Sequence, residues 1–514
     1  MKKISKPERS FYLLAVIAAA GFILRLPSVR LGLPPHIFVD EIFFFDDTYR
    51  SLNSAFFFPQ AFISGSINEL PFWFMGKIFQ LFGGGFSYSG FLIFGRILGP
   101  LALTALTVFP LYRLSINLTG SRLAATTSVV LFSCSPWVFA NSQIWYPDHY
   151  IYFFVTYFLL QFSKMWNKQV NTRTVYHLAA SFALLVSVKY SAAIYSILIF
   201  VAPYIMPVAK NESRKYYKNL ANKSLVYSLP IFLVINFSIF RYFHGFLSGM
   251  NSNRRNYRFF SNWPFSNLLA YSELTFIFSL GFIGLLAIVL GFWQIRSADD
   301  AAFRVFSITI AAYLMILSTS PIMVPRNINL LIPLLAVIAG AGAQKLVILW
   351  KVNQKYSIAI GAIATLLAVS TAFGLVVNVS EVRRPDSFEL AKDYINKNLP
   401  LNAVVGFNPG SDGLSPSQDL GLASVPDPEM KQGLKYYVFS SYWESPFRSF
   451  YNQRGFFRDW SYRNFHFNET SPESANIFHK KEGSVFANVP NGYKIQKVIK
   501  SVGPVFIILR KVSE

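Results

Sequence analysis

Apolar runs, most of them near the roughly 20 residues that cross a bilayer core, recur from residue 11 to residue 379. They fall at 11–27, 91–114, 122–140, 148–163, 174–188, 191–208, 225–243, 269–293, 303–320, 328–349 and 356–379, which predicts about eleven membrane spans. The stretch 174–208 is too long for one ordinary span and carries Lys189-Tyr190 near its centre. A lysine at mid-depth is costly, so two helices separated at Lys189 are expected.

The pattern changes in two places. Between the first and second spans, 42–63 interleaves Phe43, Phe44, Phe45, Phe56, Phe57 and Phe58 with Asp46, Asp47, Arg50 and Gln60, which reads as short helices lying in the membrane interface. After residue 380 the runs shorten. Pro385-Asp386-Ser387 offers a helix start before Phe388, Leu390, Ala391, Tyr394 and Ile395, which are spaced for one apolar face. Ala403 to Phe407, Tyr436 to Phe439 and Val505 to Leu509 are strand-like. The expected architecture is mainly α: a polytopic transmembrane helical bundle over 1–380, followed by an extracytoplasmic α/β domain over 381–514.

Lys2, Lys3, Lys6 and Arg9 face only Glu8 ahead of the first span, a bias that keeps the N-terminus cytoplasmic. A cleaved signal peptide would end in small residues, whereas Arg25, Pro27 and Arg30 follow here. Alternating the spans then places Arg113, Arg122, Lys164, Lys168, Arg173, the basic segment 210–223, Arg296, Lys345, Lys351 and Lys355 inside. Three segments lie outside: 28–90, 244–268 and everything after 380. Composition fits a multi-pass membrane protein, with 53% hydrophobic and 14% charged residues and a mean hydropathy of +0.38. The net charge of +22, from 47 Lys+Arg against 25 Asp+Glu, accords with topology and anionic lipid. No basic-aromatic module points to nucleic acid. Cys134 is the single cysteine, so no intrachain disulfide forms.

Polar residues collect at the outer ends of spans. Asp40 and Glu41 lie in the 28–90 segment and Asp148-His149 opens the fourth span. Lys189, Arg241, the cluster Arg254, Arg255 and Arg258, and Arg326 face the same side. Positive charge outside runs against the topology bias, and an anionic headgroup or phosphate at the membrane surface would account for it.

Val39-Asp40-Glu41, Glu69-Leu70-Pro71-Phe72-Trp73 before Leu81-Phe82-Gly83, Gly95-Arg96, Gly120-Ser121-Arg122, Ser135-Pro136 followed by Asp148, Lys189-Tyr190, and Pro325-Arg326-Asn327 with Pro333 downstream occur in that order. In order and placement, over about residues 10–350, they resemble the membrane glycosyltransferases of the GT-C fold that use polyprenyl-phosphate sugars, such as protein O-mannosyltransferases and aminoarabinose transferases. Two positions depart from that pattern: Gln143 stands where the family often has an Arg, and Arg326-Asn327 where it often has Arg-Tyr. The Trp-Trp-Asp motif of oligosaccharyltransferases is absent, which argues against transfer of a whole oligosaccharide.

The resemblance implies an inverting transferase that moves a monosaccharide to an acceptor hydroxyl at the outer face of a bacterial inner membrane. It makes Asp40 the catalytic base and Glu41 an orienting acid, with Glu69 and Arg96 positioning substrate. The donor phosphate falls to Lys189, Arg326, Arg254, Arg255 and Arg258. Asp148 and His149, with Glu41, are candidate ligands for a divalent metal, since oxygen donors suit a hard cation. Partners are a polyprenyl-phosphate sugar, membrane lipids, and an acceptor lipid, glycan or protein. The rival reading is a transporter or lipid flippase, but transporters place ionisable residues near the midplane on broken helices. The spans here are largely free of acids at mid-depth.

Overall fold

The computed structural model describes residues 9–30, 39–54, 57, 66–142, 145–166, 172–205, 214–257, 268–273, 275–276, 279–280, 282–298, 300–320 and 325–352. It further describes helical residues scattered between 361 and 379, then 387–400, 403–407, 424–426, 434–440, 493–499 and 506–512. The chain divides into two compact units, Met1–Leu26 with Phe44–Asn378, and Pro27–Phe43 with Val379–Glu514. The second thus takes in Pro27–Phe43, which a division at 380 assigns to the first.

The first unit is helical. Helix α1 covers Arg9–Arg25, α2 Val39–Ser51, of which Phe44–Ser51 belong to this unit, α3 Leu70–Leu81 and α4 Tyr88–Arg96. A π-helical turn, Ile97–Leu101, follows, then α5, Ala102–Leu106, and α6, Val108–Thr119. Pro100 lies inside the π turn; it has no N–H to donate, and the wider turn keeps the chain helical past it. Gly120, at φ 65°, ends α6 in the left-handed region, and the Ser121 hydroxyl accepts from Ala124 N–H to open α7, Arg122–Cys134. The Gly-Ser-Arg motif is therefore a cap-to-cap turn.

The predicted span 122–140 breaks where Ser135 accepts from Val138 N–H and Pro136 starts α8, Pro136–Asn141. A proline there cannot extend α7 but suits a first helical turn. Next come α9, Pro147–Trp166, and α10, Thr172–Val188. Lys189 is extended, with φ −147° and ψ 119°, and a 3-10 turn, Tyr190–Tyr195, leads into α11, Ser196–Ile205. The separation expected at Lys189 is observed.

Further helices are α12, Arg214–Ile235; α13, Ser238–Arg241; α14, Phe243–Tyr257; α15, Leu268–Glu273; α16, Phe282–Ala298; α17, Asp300–Ser318; and α18, Ile332–Val352. The predicted span 269–293 is thus divided between α15 and α16. An element unforeseen from the sequence is α3, whose Lys77 ammonium donates to Leu52 O (2.5 Å) and whose Trp73 indole donates to Ser51 O (2.8 Å), holding it against the end of α2. Among the described residues three helices are long and apolar enough to cross a membrane: Ser10–Arg30, Tyr88–Thr119 and Ile332–Lys351. Five shorter apolar helices accompany them.

The core runs along α18, which packs on α16 and α7 and is buried continuously from Ile332 to Ala339. A Cβ on Gly342 would lie 1.9 Å from Ala287 O, so glycine is what lets α16 and α18 approach backbone to backbone.

In the second unit a five-stranded sheet has the order β2-β1-β3-β5-β4. The strands are β1 Val405–Phe407, β2 Ser424–Pro426, β3 Tyr436–Ser440, β4 Tyr493–Ile499 and β5 Phe506–Lys511. β1 runs parallel to β2 and β3, and β5 antiparallel to β3 and β4. A helix over Ser387–Asn398 buries Ala391 and Ile395, the apolar face read from the sequence.

Candidate functional site

The segment before α9 anchors the site. The Trp145 ring is fully buried against Phe72 of α3 (4.5 Å between centroids), Phe91 of α4 (5.8 Å) and Phe45 of α2 (6.1 Å). Its indole N–H donates to Asn68 O at 3.1 Å. A Cβ on Gly95 would stand 2.1 Å from that ring, which explains the glycine of the Gly95-Arg96 motif. With Trp145 fixed, Tyr146 and Asp148 face two cations from distant parts of the chain.

Asp148, 2% exposed, takes the Lys189 ammonium on Oδ1. Its Oδ2 lies 3.3 Å from Arg326 Nε. Lys189 also donates to Asn327 Oδ1 at 2.7 Å. Arg326 Nη2 donates to the Tyr146 hydroxyl at 3.3 Å, and its guanidinium carbon sits 4.5 Å from the Tyr146 ring centroid, a cation–π contact.

The 3-10 turn Pro325–Leu330 is pinned on both sides. Tyr313 OH donates to Asn327 O at 2.9 Å, Tyr195 OH to Leu330 O at 2.5 Å, and Asn329 Nδ2 to Asp148 O at 2.6 Å. Trp137 Nε1 donates in turn to Asn329 Oδ1 at 2.6 Å. Burial pulls the Lys189 ammonium below its ordinary pKa, and Asp148 pulls it back. An ammonium has three N–H groups; two are taken by Asp148 and Asn327 among the described residues.

A second polar layer adjoins this one through Lys189 and its neighbours. Asn68 Nδ2 donates to Val188 O at 2.8 Å, and Tyr190 interacts electrostatically with Glu69. Glu69, 2% exposed, sits at the N-cap of α3. Burial raises its carboxyl well above the usual carboxylate range, and the neighbouring Asp47 raises it further. Its Oε2 has no hydrogen-bond partner among the described residues. Around it Ser66 N–H donates to Asn236 Oδ1 (2.9 Å), Ser66 and Ser238 hydroxyls pair (2.9 Å), and Asn236 Nδ2 donates to Ser187 Oγ (2.7 Å).

The structure therefore brings Asp148, Lys189 and Arg326 together and sets Glu69 in the next layer. Arg96 is 1% exposed at the end of α4. Asp40 and Glu41 fall on α2, Arg254 and Arg255 on α14, and His149 on α9, but their side chains, and Arg258 entirely, lie outside the described residues. Among the described residues no three His, Cys, Asp or Glu side chains group as metal ligands, and both Asp148 oxygens face cations, so no step is derived through a metal. Sequence reasoning did not assign Asn327, Tyr146, Asn68 or Asp47 to the site. The adjacency of Asn327 to Arg326, and of Tyr146 to Asp148, was the available signal.

No protein-family model and no curated relative matches the chain. Solved structures do. ArnT from Cupriavidus metallidurans bound to undecaprenyl phosphate shares 14% identity over 97% of this chain and 97% of its own, with a TM-score of 0.53. The archaeal oligosaccharyltransferase AglB from Archaeoglobus fulgidus, in complex with an inhibitory peptide and a dolichol-phosphate, shares 11% over 84% and 70%, with a TM-score of 0.51. These likenesses are of fold: the polytopic GT-C arrangement implied by the order of the motifs is the fold of this chain.

Proposed function

We propose that this chain is an inverting glycosyltransferase of the membrane's outer face, moving a monosaccharide from a polyprenyl-phosphate donor to an acceptor hydroxyl. The observation that carries the reading is the convergence of Lys189 and Arg326, 137 positions apart in sequence (326 − 189), on one buried carboxylate. Cations fixed in a partly dehydrated pocket hold a phosphate by charge-assisted hydrogen bonds and stabilise the charge that grows as it leaves. The fold shared with ArnT and AglB, whose structures carry undecaprenyl phosphate and dolichol-phosphate, supports the same reading.

In the proposed reaction the acceptor oxygen attacks the anomeric carbon in line. The bond from that carbon to the phosphate oxygen breaks, the electron pair leaves with the phosphate, and the configuration inverts. Asp40 takes the acceptor's proton and Glu41 orients the acceptor. Arg254, Arg255 and Arg258 attract the anionic donor to the same face. Glu69, whose carboxyl burial pushes toward its protonated form, is suited to hydrogen bonds with a sugar hydroxyl, and with Arg96 it positions the substrate.

Purified protein supplied with polyprenyl-phosphate sugars should consume a donor and release polyprenyl phosphate. Translocation of intact donor without consumption would replace this reading with the transporter. The eleven-span topology is tested by reporter fusions after Lys215 and after Pro400, which should report opposite sides; the same side for both overturns it.

A further inference from the structure

Ser135 and Pro136 break the apolar run 122–140 and open α8, a helix of six residues that has no part in the proposed reaction. Contacts from distant parts of the chain fix it. Ser135 Oγ donates to Ser279 O at 2.6 Å. The Arg25 guanidinium carbon lies 4.8 Å from the Phe139 ring centroid, and Arg25 Nη2 donates to Ser133 O at 2.7 Å, at the end of α7. From α8 the Trp137 indole N–H donates to Asn329 Oδ1 at 2.6 Å, and Asn329 Nδ2 donates in turn to Asp148 O at 2.6 Å. An indole N–H only donates, so the oxygen end of the Asn329 amide must face Trp137, and its NH2 end is thereby turned to Asp148. Turning the amide over would set N–H against N–H and oxygen against oxygen. Trp137, Asn329 and Asp148 are all buried, too deeply for solvent to replace either bond.

Asn329 and Arg326 stand three positions apart on the 3-10 turn Pro325–Leu330, and in a 3-10 helix side chains at i and i+3 eclipse. The turn therefore meets Asp148 twice from one side. Arg326 Nε lies 3.3 Å from the carboxylate Oδ2, and Asn329 Nδ2 binds the main-chain oxygen. We propose that Trp137 is a positioning residue, which through the Asn329 amide seats Arg326 against Asp148 and so sets the place of the guanidinium in the donor-phosphate site. Arg326 is a long side chain with several rotatable bonds, and a main-chain contact beside it narrows the positions its guanidinium takes. The turn keeps its place in the fold without this bond, because Tyr195 OH on Leu330 O and Tyr313 OH on Asn327 O hold it from other elements. Arg25 and Ser279 likewise hold α8. What the Trp137–Asn329 bond adds is precision at Arg326, and a misplacement of about 1 Å at a reacting centre costs up to about 10²-fold.

The inference rests on the reading of Arg326 as a donor-phosphate ligand, and the experiment tells the two apart. Full-length protein in detergent is titrated with a short-chain polyprenyl phosphate, over a concentration range wide enough to include Arg326→Ala, and the fold of each variant is checked by thermal melting. Trp137→Phe keeps an aromatic ring in place and loses the N–H. It should melt cooperatively and bind the probe about tenfold more weakly, the upper range of one hydrogen bond's contribution. The discriminating measurement is the same substitution made in Arg326→Ala. A residue that acts through Arg326 has nothing left to position there, so Trp137→Phe should add no further loss, whereas a residue that merely supports the fold weakens binding by the same factor in both backgrounds. Asn329→Leu removes both bonds with a side chain of similar size and takes its place where Trp137→Phe does not fold, with the same results expected. Wild-type affinity in a folded Trp137→Phe, or losses that multiply with Arg326→Ala, overturns the proposal. Failure of both variants to fold overturns it as well, because the pair would then support the fold alone. If Arg326→Ala weakens binding and Trp137→Phe does not, the positioning role falls and the donor site stands. Unchanged binding in Arg326→Ala overturns the donor reading and this inference with it.

Discussion

The Asp148 cluster and the Glu69 layer are both buried, both polar and separated only by the Lys189-Tyr190 step, yet they settle their charges in opposite ways. In the first a carboxylate meets two cations, Lys189 and Arg326, and stays charged between them. In the second two carboxyl groups, Glu69 and Asp47, share a dehydrated environment, and Glu69 is driven toward its protonated form. A buried charge is retained where a partner of opposite sign is held against it, and is lost to protonation where the neighbour is of like sign. Under the proposed function one cluster would take an anion and the other a neutral hydroxyl, the two ends of a sugar phosphate.

The largest test asks whether the base lies in neither pocket. Asp40→Asn should reduce turnover by about 10² to 10⁴ while donor binding stays near wild type, and Glu69→Gln should keep most of its activity because Gln preserves a neutral side chain of the same shape. The measurement is single-turnover sugar transfer with both variants. Normal transfer by a folded Asp40→Asn protein, together with an inactive Glu69→Gln, would move the base into the Glu69 layer and undo the contrast.

A smaller effect is expected from the cationic side. Lys189→Ala or Arg326→Ala should slow transfer by about 10² and weaken donor binding in parallel, since each removes a fixed donor to the phosphate. The alternative is that these side chains only reach for lipid headgroups, as long basic residues do. Donor affinity equal to wild type in Arg326→Ala would establish that alternative.

How much of this the sequence disclosed follows from what each feature depends on. The break at Lys189 was legible because a charge inside an apolar run has a large local cost. The helix over Ser387–Asn398 was legible because a cap and one apolar face are local signals. Breaks inside 122–140 and 269–293 were not, because hydropathy averages across a Ser-Pro cap or a turn such as Ser279-Leu280 that leaves the run apolar. Strand β4, Tyr493–Ile499, interrupts its apolar residues with Lys494, Gln496 and Lys497 at the sheet's edge and lacks the apolar run that marked β3 and β5. Lys189 and Arg326 could be chosen singly from charge on the outer side. Their meeting at Asp148 could not, since it depends on how α9, α10 and the 3-10 turn Pro325–Leu330 pack.

The finest distinction between the two pockets is their response to removing a carboxylate charge. Asp148→Asn strips the counter-charge from two largely buried cations and should destabilise the fold by about 3 kcal/mol. Glu69→Gln removes a group that burial pushes toward its neutral form and should cost under about 1 kcal/mol. The pH dependence sharpens this. A carboxyl whose folded-state pKa is raised binds its proton more tightly in the folded chain than in the unfolded one, whose value is about 4.3. The stability it contributes is complete below that unfolded value and is lost as pH rises through the folded value. Wild-type protein should therefore lose thermal stability between pH 5 and pH 8 relative to Glu69→Gln, in which position 69 cannot ionise. Asp47 and Tyr190 face the same group, so the comparison is best made as the difference between the two melting curves across pH, where contributions common to both proteins cancel. A constant difference from pH 5 to pH 8 would mean that Glu69 ionises in the fold as readily as in the unfolded chain, and the Glu69 layer would then hold a charge, as the Asp148 cluster does.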